Sequence, residues 1–295
     1  MKYLFIGICQ LAAFSRVLQD YLDITNVTIF EISLVDYEKI LQNLSEYDIV
    51  VSQPVSKTYK NNIIYSTYHL RQLCLQLNIP HYVMVNCYFT GYDPLAFQFT
   101  DLSHNFYRLA NNSTHIPGIC VESALTGNTY KTMQAWKGDY YTEKMIMDNL
   151  KKTIQNLKDR ERRVFDDDDI SVDITISDFI EENYQRAQLF HVYNHPSNVL
   201  LKELMYRMLK VINVNIDVGF PREELLGDDI LPPCPKIMEV LKCTFPAPAF
   251  IINKRNYSEP AALYYYAEEV GKCDIKLKQQ WAATMQEKKS ALINE

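Results

Sequence analysis

No stretch of this 295-residue sequence reaches the apolar length of a membrane span. No internal repeat or low-complexity linker interrupts it, so it reads as globular throughout. No CxxC pair occurs. The 7 cysteines are scattered and odd in number, which argues against a disulfide framework or zinc ribbon and for a reducing, cytoplasmic compartment. Positive charge is also short. With 30 Lys and Arg against 36 Asp and Glu, the net charge is −6, and non-specific nucleic-acid binding lacks the basic surface it needs. A local basic pocket for a phosphorylated cofactor remains compatible with that balance. No set of His, Cys and carboxylate residues has metal-ligand spacing, and the run Asp166–Asp169 has no EF-hand pattern. That run reads as a solvated loop or helix start, and no metal is expected. Tryptophan is scarce, 2 residues against 21 tyrosines, a balance that suits a sugar-handling surface and equally an AT-rich coding sequence.

What is present begins with the first strand. Tyr3–Ile8 is apolar and rich in β-formers, and Leu11, Phe14, Leu18 and Leu22 then follow a helical period. A lysine before an apolar run suggests a signal peptide. The run is short, however, and breaks at Gln10, and Ile8 is not the small residue that precedes a lipoprotein cysteine; a strand and its helix is the reading. Gly7 permits a tight turn and a close backbone approach. Cys9 and Gln10 fall at the strand-to-helix turn, where free N–H groups and the helix dipole are expected to lower a thiol pKa. The competing reading of Cys9 is a small buried core residue.

Further strands are predicted at Val27–Ser33, Asp48–Gln53 and His81–Tyr88, with helices at Asp36–Leu44 and Asn61–Leu77 between them. Alternation of this kind predicts parallel βαβ units and a Rossmann-like or flavodoxin-like half-domain over residues 1–95. The ends of strands one, three and four, GICQ, SQPVSKTY and NCYFTGYDP, are expected to converge on one cleft. Residues 96–295 read as a mainly helical part packed on that half in one compact body. Leu95–Gly138 is loop-rich. Helices are expected at Thr142–Arg163, Ser177–Leu189, Tyr257–Cys273 and Lys276–Ile293, the second capped by Ser177 or Asp178. In LFHVYNHPS, Pro196 suits the first turn of a helix that continues through Leu200, Leu204, Met208 and Ile212. His195 would then sit before a helix N-terminus, which keeps an imidazole neutral and fit to act as a base, or Asn194 and His195 would simply cap the helix.

Four segments in order, G-I-C-Q at Gly7–Gln10, V-S-Q-P at Val51–Pro54, Y-F-T-G-Y-D-P at Tyr88–Pro94, and ISDFI leading to LFHVYNHPS, resemble the WcbI-like polysaccharide-biosynthesis proteins over about residues 1–215. The resemblance implies a coenzyme-A-binding, acetyltransferase-like protein acting on a sugar of a surface polysaccharide. It also implies a small α/β subdomain embedded in a largely helical cradle. Ile8 stands where the family usually has Asn. A more distant likeness is to SGNH-type serine hydrolases, with Cys9 in the place of the serine and His195–Pro196 in the place of their late His–Pro; Val192 occupies the position of their aspartate.

Acyl transfer from acetyl-CoA needs a base, oxyanion donors and a coenzyme site. His195 is the candidate base, and Cys9 is either a covalent nucleophile or the lining of the coenzyme's thiol end. The backbone N–H groups of Cys9 and Gln10, with the Gln10 or Gln53 amide, are candidate oxyanion donors. Ser52, Gln53, Lys57, Tyr59, Lys60 and Arg71 are candidates for holding the coenzyme. Tyr88, Tyr92, Asp93 and Asn194 are candidates for a sugar or sugar-nucleotide acceptor. For each lysine the competing reading is surface solubility, and for the aromatics it is packing. The competing functions are an SGNH-like Cys/His acyl hydrolase and a non-catalytic coenzyme- or nucleotide-binding protein of glycan assembly.

Overall fold

The computed structural model describes residues 1–96, 115–125, 129–138, 140–162 and 170–293. The acidic run Asp166–Asp169 lies outside them. In chain order the elements are β1 (Lys2–Gly7), α1 (Cys9–Leu18), β2 (Asp23–Thr28), α2 (Leu34–Gln42), β3 (Ile49–Ser52), α3 (Thr67–Gln76) and β4 (His81–Val83). They continue with α4 (Gly118–Leu125), α5 (Thr129–Lys137), α6 (Glu143–Arg162), α7 (Ser177–Asn183), β5 (Phe190–Val192), β6 (His195–Pro196) and α8 (Asn198–Val211). The last are α9 (Pro235–Leu241), β7 (Phe250–Ile252), β8 (Arg255–Tyr257), α10 (Glu259–Lys272) and α11 (Ile275–Ile293). The chain divides into two compact units, one of residues 1–87, 156–180 and 198–226, the other of 88–155, 181–197 and 227–295.

The first unit holds a four-stranded parallel sheet in the order β2-β1-β3-β4, the mixed α/β architecture expected from the alternating pattern. β1 is buried on both faces, as a central parallel strand must be. Leu4, Ile6 and Val50 share a core with Tyr37 and Leu41 of α2 and Leu70 and Cys74 of α3. Phe5 and Val51 point the other way by strand alternation and are equally buried. The outer edge of β4 does not stay open. Met84 bridges Ile174 in parallel, and the Asp173 carboxylate accepts the Val83 N–H at 2.7 Å, so a returning segment covers the edge.

Boundaries moved where local chemistry overrode the pattern. β2 ends at Thr28, and residues 29–33 form a turn in place of the expected strand. The expected helix from Asn61 begins only at Thr67. Lys60 and Asn61 both have positive φ, and Ser66 caps α3 by accepting the His69 N–H. α7 is shorter than expected and ends at Asn183.

In the second unit α4, α5, α10 and α11 pack together, where the sequence pattern had suggested loops for the stretch containing α4 and α5. The buried Trp281 of α11 and Tyr266 of α10 are among its largest fully buried side chains. Two short antiparallel hairpins, β5–β6 and β7–β8, complete it. None of the described helices is long and apolar enough to cross a membrane.

Candidate functional site

The connections reverse direction between β1 and β3, the switch point where open parallel sheets take ligands. β1 ends there at Gly7, Ile8 keeps an extended backbone, and α1 starts at Cys9. The Gln53 side chain crosses the gap. Its Oε1 accepts the Ile8 N–H at 2.9 Å and its Nε2 donates to Gln10 Oε1 at 2.9 Å. Gln10 in turn clasps the Cys87 backbone, donating to its carbonyl at 2.9 Å and accepting its N–H at 3.2 Å. Backbone groups at both ends fix which way each amide points, because an N–H can only donate. A Cβ on Gly7 would lie 2.6 Å from Gln53 Oε1, so the residue is glycine because a side chain passes there. GICQ, SQ and the Cys87 backbone thus meet at one edge of the sheet.

Cys9 is half-buried. Its sulfur accepts backbone N–H bonds from Cys9 and Gln10, yet burial pushes the thiol up to about 11. This corrects the expectation from the helix end. A dipole near a terminus is worth about 0.3–1 kcal/mol, less than one pKa unit, and desolvation exceeds it.

The candidates for coenzyme binding fall in different surroundings. Gln53 is buried at the thiol turn. The Ser52 hydroxyl is buried 2.8 Å from His81 Nε2. Lys57 Nζ lies 4.2 Å above the Tyr68 ring. Lys60 donates to the carbonyls of Ile32 and Ile29 at 3.3 and 3.4 Å and lies over Tyr65. Tyr59 meets Tyr65 edge-on. Arg71 donates to the His81 carbonyl at 2.6 Å and lies 3.8 Å from Asp173, at the start of β4.

The second unit joins YFTGYDP to LFHVYNHPS. Phe89 donates its N–H to the Tyr193 carbonyl at 2.7 Å, Phe89 stacks on Phe190, and Tyr88 stacks on Tyr193. A Cβ on Gly91 would lie 2.2 Å from the Phe89 ring, so glycine is needed for this packing. Tyr92 is buried, its hydroxyl 2.7 Å from the Tyr184 carbonyl and 3.0 Å from that of Ala187. The Asp93 carboxylate accepts the Tyr141 hydroxyl at 3.0 Å and the Leu95 N–H at 3.1 Å, and also the Gly118 N–H at the start of α4. Burial raises its pKa.

His195 is not at a helix start. It lies in β6, opposite Val192, and α8 begins three residues later at Asn198. The hairpin forms because Phe190 pairs with Pro196 around the turn Tyr193–Asn194. The sequence reading missed what surrounds it. The His115 ring centroid is 4.8 Å from that of His195 and 5.7 Å from that of Tyr193. His115 Nδ1 lies 4.0 Å from Asp229 Oδ2, and the Asn194 side chain hydrogen-bonds His115. Desolvation lowers the His115 pKa to about 4. A cavity of about 40 Å³ is lined by His115, His191, Tyr193, Asp93, Trp136 and other residues of this unit. His115 sits in a stretch with no periodicity; only the scarcity of histidine, 6 in the chain, marked it. Among the described residues no three His, Cys, Asp or Glu side chains gather as a metal cage.

A parallel sheet with a glycine–cysteine turn at its switch point, within a chain otherwise largely helical, defines an α/β protein of the open-sheet kind, whose ligands as a class bind at that edge. The family model for the polysaccharide biosynthesis enzyme WcbI matches residues 2–216, and the chain belongs to that family of enzymes. A solved structure of WcbI, described as a novel polysaccharide biosynthesis enzyme in its native form without a disulfide bond between coenzyme A and one of its own cysteines, superposes with a TM-score of 0.78. The match covers 99% of this chain and 97% of that one at 18% identity, a likeness of fold. No curated protein matches this sequence.

Proposed function

We propose that this protein transfers an acetyl group from acetyl-CoA to a hydroxyl or amine of a sugar or sugar nucleotide destined for a surface polysaccharide. The observation that carries the reading is the Gly7–Gln10 turn at the switch point. It places a half-buried cysteine where a ligand is expected, in a family whose solved relative is described in terms of coenzyme A and a cysteine. In this reading Cys9 lines the thiol end of the coenzyme, with Gln10, Gln53 and Ser52 bracing the floor. Lys57 and Lys60, with Tyr59, meet the phosphate-bearing part, and Arg71 supports the neighbouring strand. Tyr88 and Asn194 contact the acceptor, with Tyr92 and Asp93 holding the wall behind them.

The base is His195. It takes the proton of the acceptor O–H or N–H while that atom bonds to the thioester carbonyl carbon. The C–S bond then breaks, and the coenzyme thiolate leaves and recovers the proton from His195. The products are acetylated acceptor and free coenzyme A. A thiol pushed up to about 11 is a poor resting nucleophile, which favours direct transfer over an acyl-enzyme.

Coenzyme A at millimolar concentration should raise the melting temperature by mass action; a folded sample with no shift would overturn the cofactor assignment. His195→Ala should lower kcat by about 100-fold or more while leaving that shift intact. Cys9→Ser should keep turnover within about tenfold. A larger loss, with an acetyl-enzyme trapped in the wild type, would establish the covalent route.

A further inference from the structure

We infer that Asp229 and His115 form the positioning pair of His195, supplying from residue 229 the negative charge that position 192 lacks; the inference rests on His195 being the base proposed above. Three observations within the second unit carry it. The His115 ring lies against the His195 ring, centroid to centroid 4.8 Å, at a tilt of 59°. Its Nδ1 faces Asp229 Oδ2 at 4.0 Å. The Asn194 side chain, one residue before His195, hydrogen-bonds His115, so the turn of the hairpin and the His115 ring are fixed to each other.

Asp229 is itself held. Its Oδ1 accepts the Asn253 N–H at 2.9 Å from the turn between β7 and β8. Asp229 and His115 are both buried, at 7% and 5% exposure. Bringing a carboxylate and an imidazole together in the interior is costly, so a pair at 4.0 Å that forms no direct hydrogen bond has a weak structural rationale. An electrostatic rationale is stronger. When His195 takes the acceptor proton it becomes a cation, and in surroundings of low dielectric a carboxylate behind the neighbouring ring stabilises that cation. His115 is kept neutral by burial and so does not oppose the charge forming on His195. Among the described residues, the ionisable groups near His195 include His115 and Tyr193 of the ring cluster, His191 on the facing strand, and Asp229 behind His115.

The test is a ¹⁵N-imidazole NMR titration of the full chain, with His195 assigned from His195→Gln. In Asp229→Asn the His195 pKa should fall by about half a unit or more, and Asp229→Glu should recover much of it. His115→Gln should change the His195 tautomer balance or its pKa. In the transfer assay both Asp229→Asn and His115→Gln should lower kcat by about tenfold or more, with KM for acetyl-CoA within about twofold. Should Asp229→Asn unfold the protein, His115→Gln and Asp229→Glu carry the same comparison. Folded variants whose His195 titration and tautomer match the wild type would overturn the pairing. The NMR readout does not depend on turnover. A wild type that transfers no acetyl group but shows the His195 shifts would sink the acetyltransferase reading and leave the pairing standing.

Discussion

At Gly7 the residue type and its reason lie 46 positions apart in the chain. The sequence marks the glycine as a place of close approach but cannot show what approaches, which is the Gln53 amide on the way from Ile8 to Gln10. The same holds for Gln10, whose type suits an oxyanion donor and whose side chain instead clasps the Cys87 backbone. Cys9 was legible in position and not in chemistry, because the helix end is read from neighbours in sequence and desolvation from neighbours in space. Gly7→Ala tests this level. The new methyl meets Gln53 Oε1 at 2.6 Å and Leu11 Cδ1 at 2.9 Å, so the amide must move and the Ile8 N–H loses its acceptor. A destabilisation of about 1–3 kcal/mol is expected, read as a lower denaturation midpoint, together with weaker coenzyme A binding. Wild-type stability and binding in Gly7→Ala would mean that the amide bridge is not needed.

Elements were legible where a short apolar run bounded by a turn or a single apolar helix stripe marks them, and illegible where neither does. β1, β3 and α6 carry clean patterns and appear near their expected ends. α4, GICVESAL, is apolar nearly all round, so no stripe distinguishes it from a loop under packed aromatics. The hairpin holding His195 reads from sequence as a helix start because His–Pro before an apolar period fits both, and only the pairing of Phe190 with Pro196 decides. The start of α7 shows a cap supplied from elsewhere. Ser177 or Asp178 was expected to supply the cap. Instead Glu161 near the end of α6 accepts the N–H groups of Ile176 and Ser177 at 2.6 and 2.8 Å and also the Ser177 hydroxyl. Glu161→Ala leaves two backbone donors of the helix start without an acceptor. The expected cost is about 1–3 kcal/mol, with faster amide exchange at Ile176 and Ser177 than in the wild type. Unchanged exchange at those two amides would show that water replaces the carboxylate at no cost.

The division of the whole chain was the least legible level, because periodicity says that a face is buried and not which unit buries it. The parallel sheet falls within residues 1–87, but residues 156–180 and 198–226 return to that unit, and α6 changes unit along its length. In each unit burial lowers the pKa of a histidine, so acid is a common stress on both. In the first, His81 Nε2 is 2.8 Å from the Ser52 hydroxyl, and desolvation, then the Arg71 charge, lowers its pKa to about 3. In the second, His115 is lowered to about 4. An unfolded histidine titrates near 6.5. Between that value and the folded one, the unfolded chain binds more protons, so stability rises with pH across the window and is lost as pH falls through it. The contribution is complete above about pH 6.5. It declines from there to about pH 4 for His115 and to about pH 3 for His81, and each is worth a few kcal/mol, on the order of 1.4 per unit. Asp178, whose pKa is lowered by its bond to Arg207, adds to the loss at lower pH, whereas the raised Asp93 acts in the opposite sense. Urea denaturation at pH 8, 6, 5 and 4 should therefore show a stability that is level down to about 6.5 and then falls steadily. His115→Gln removes one of the two titrations and should flatten the fall between pH 6 and 4 relative to the wild type. A wild-type stability unchanged from pH 8 to pH 5 would mean that both imidazoles are reached by protons without unfolding, and that burial does not hold them neutral.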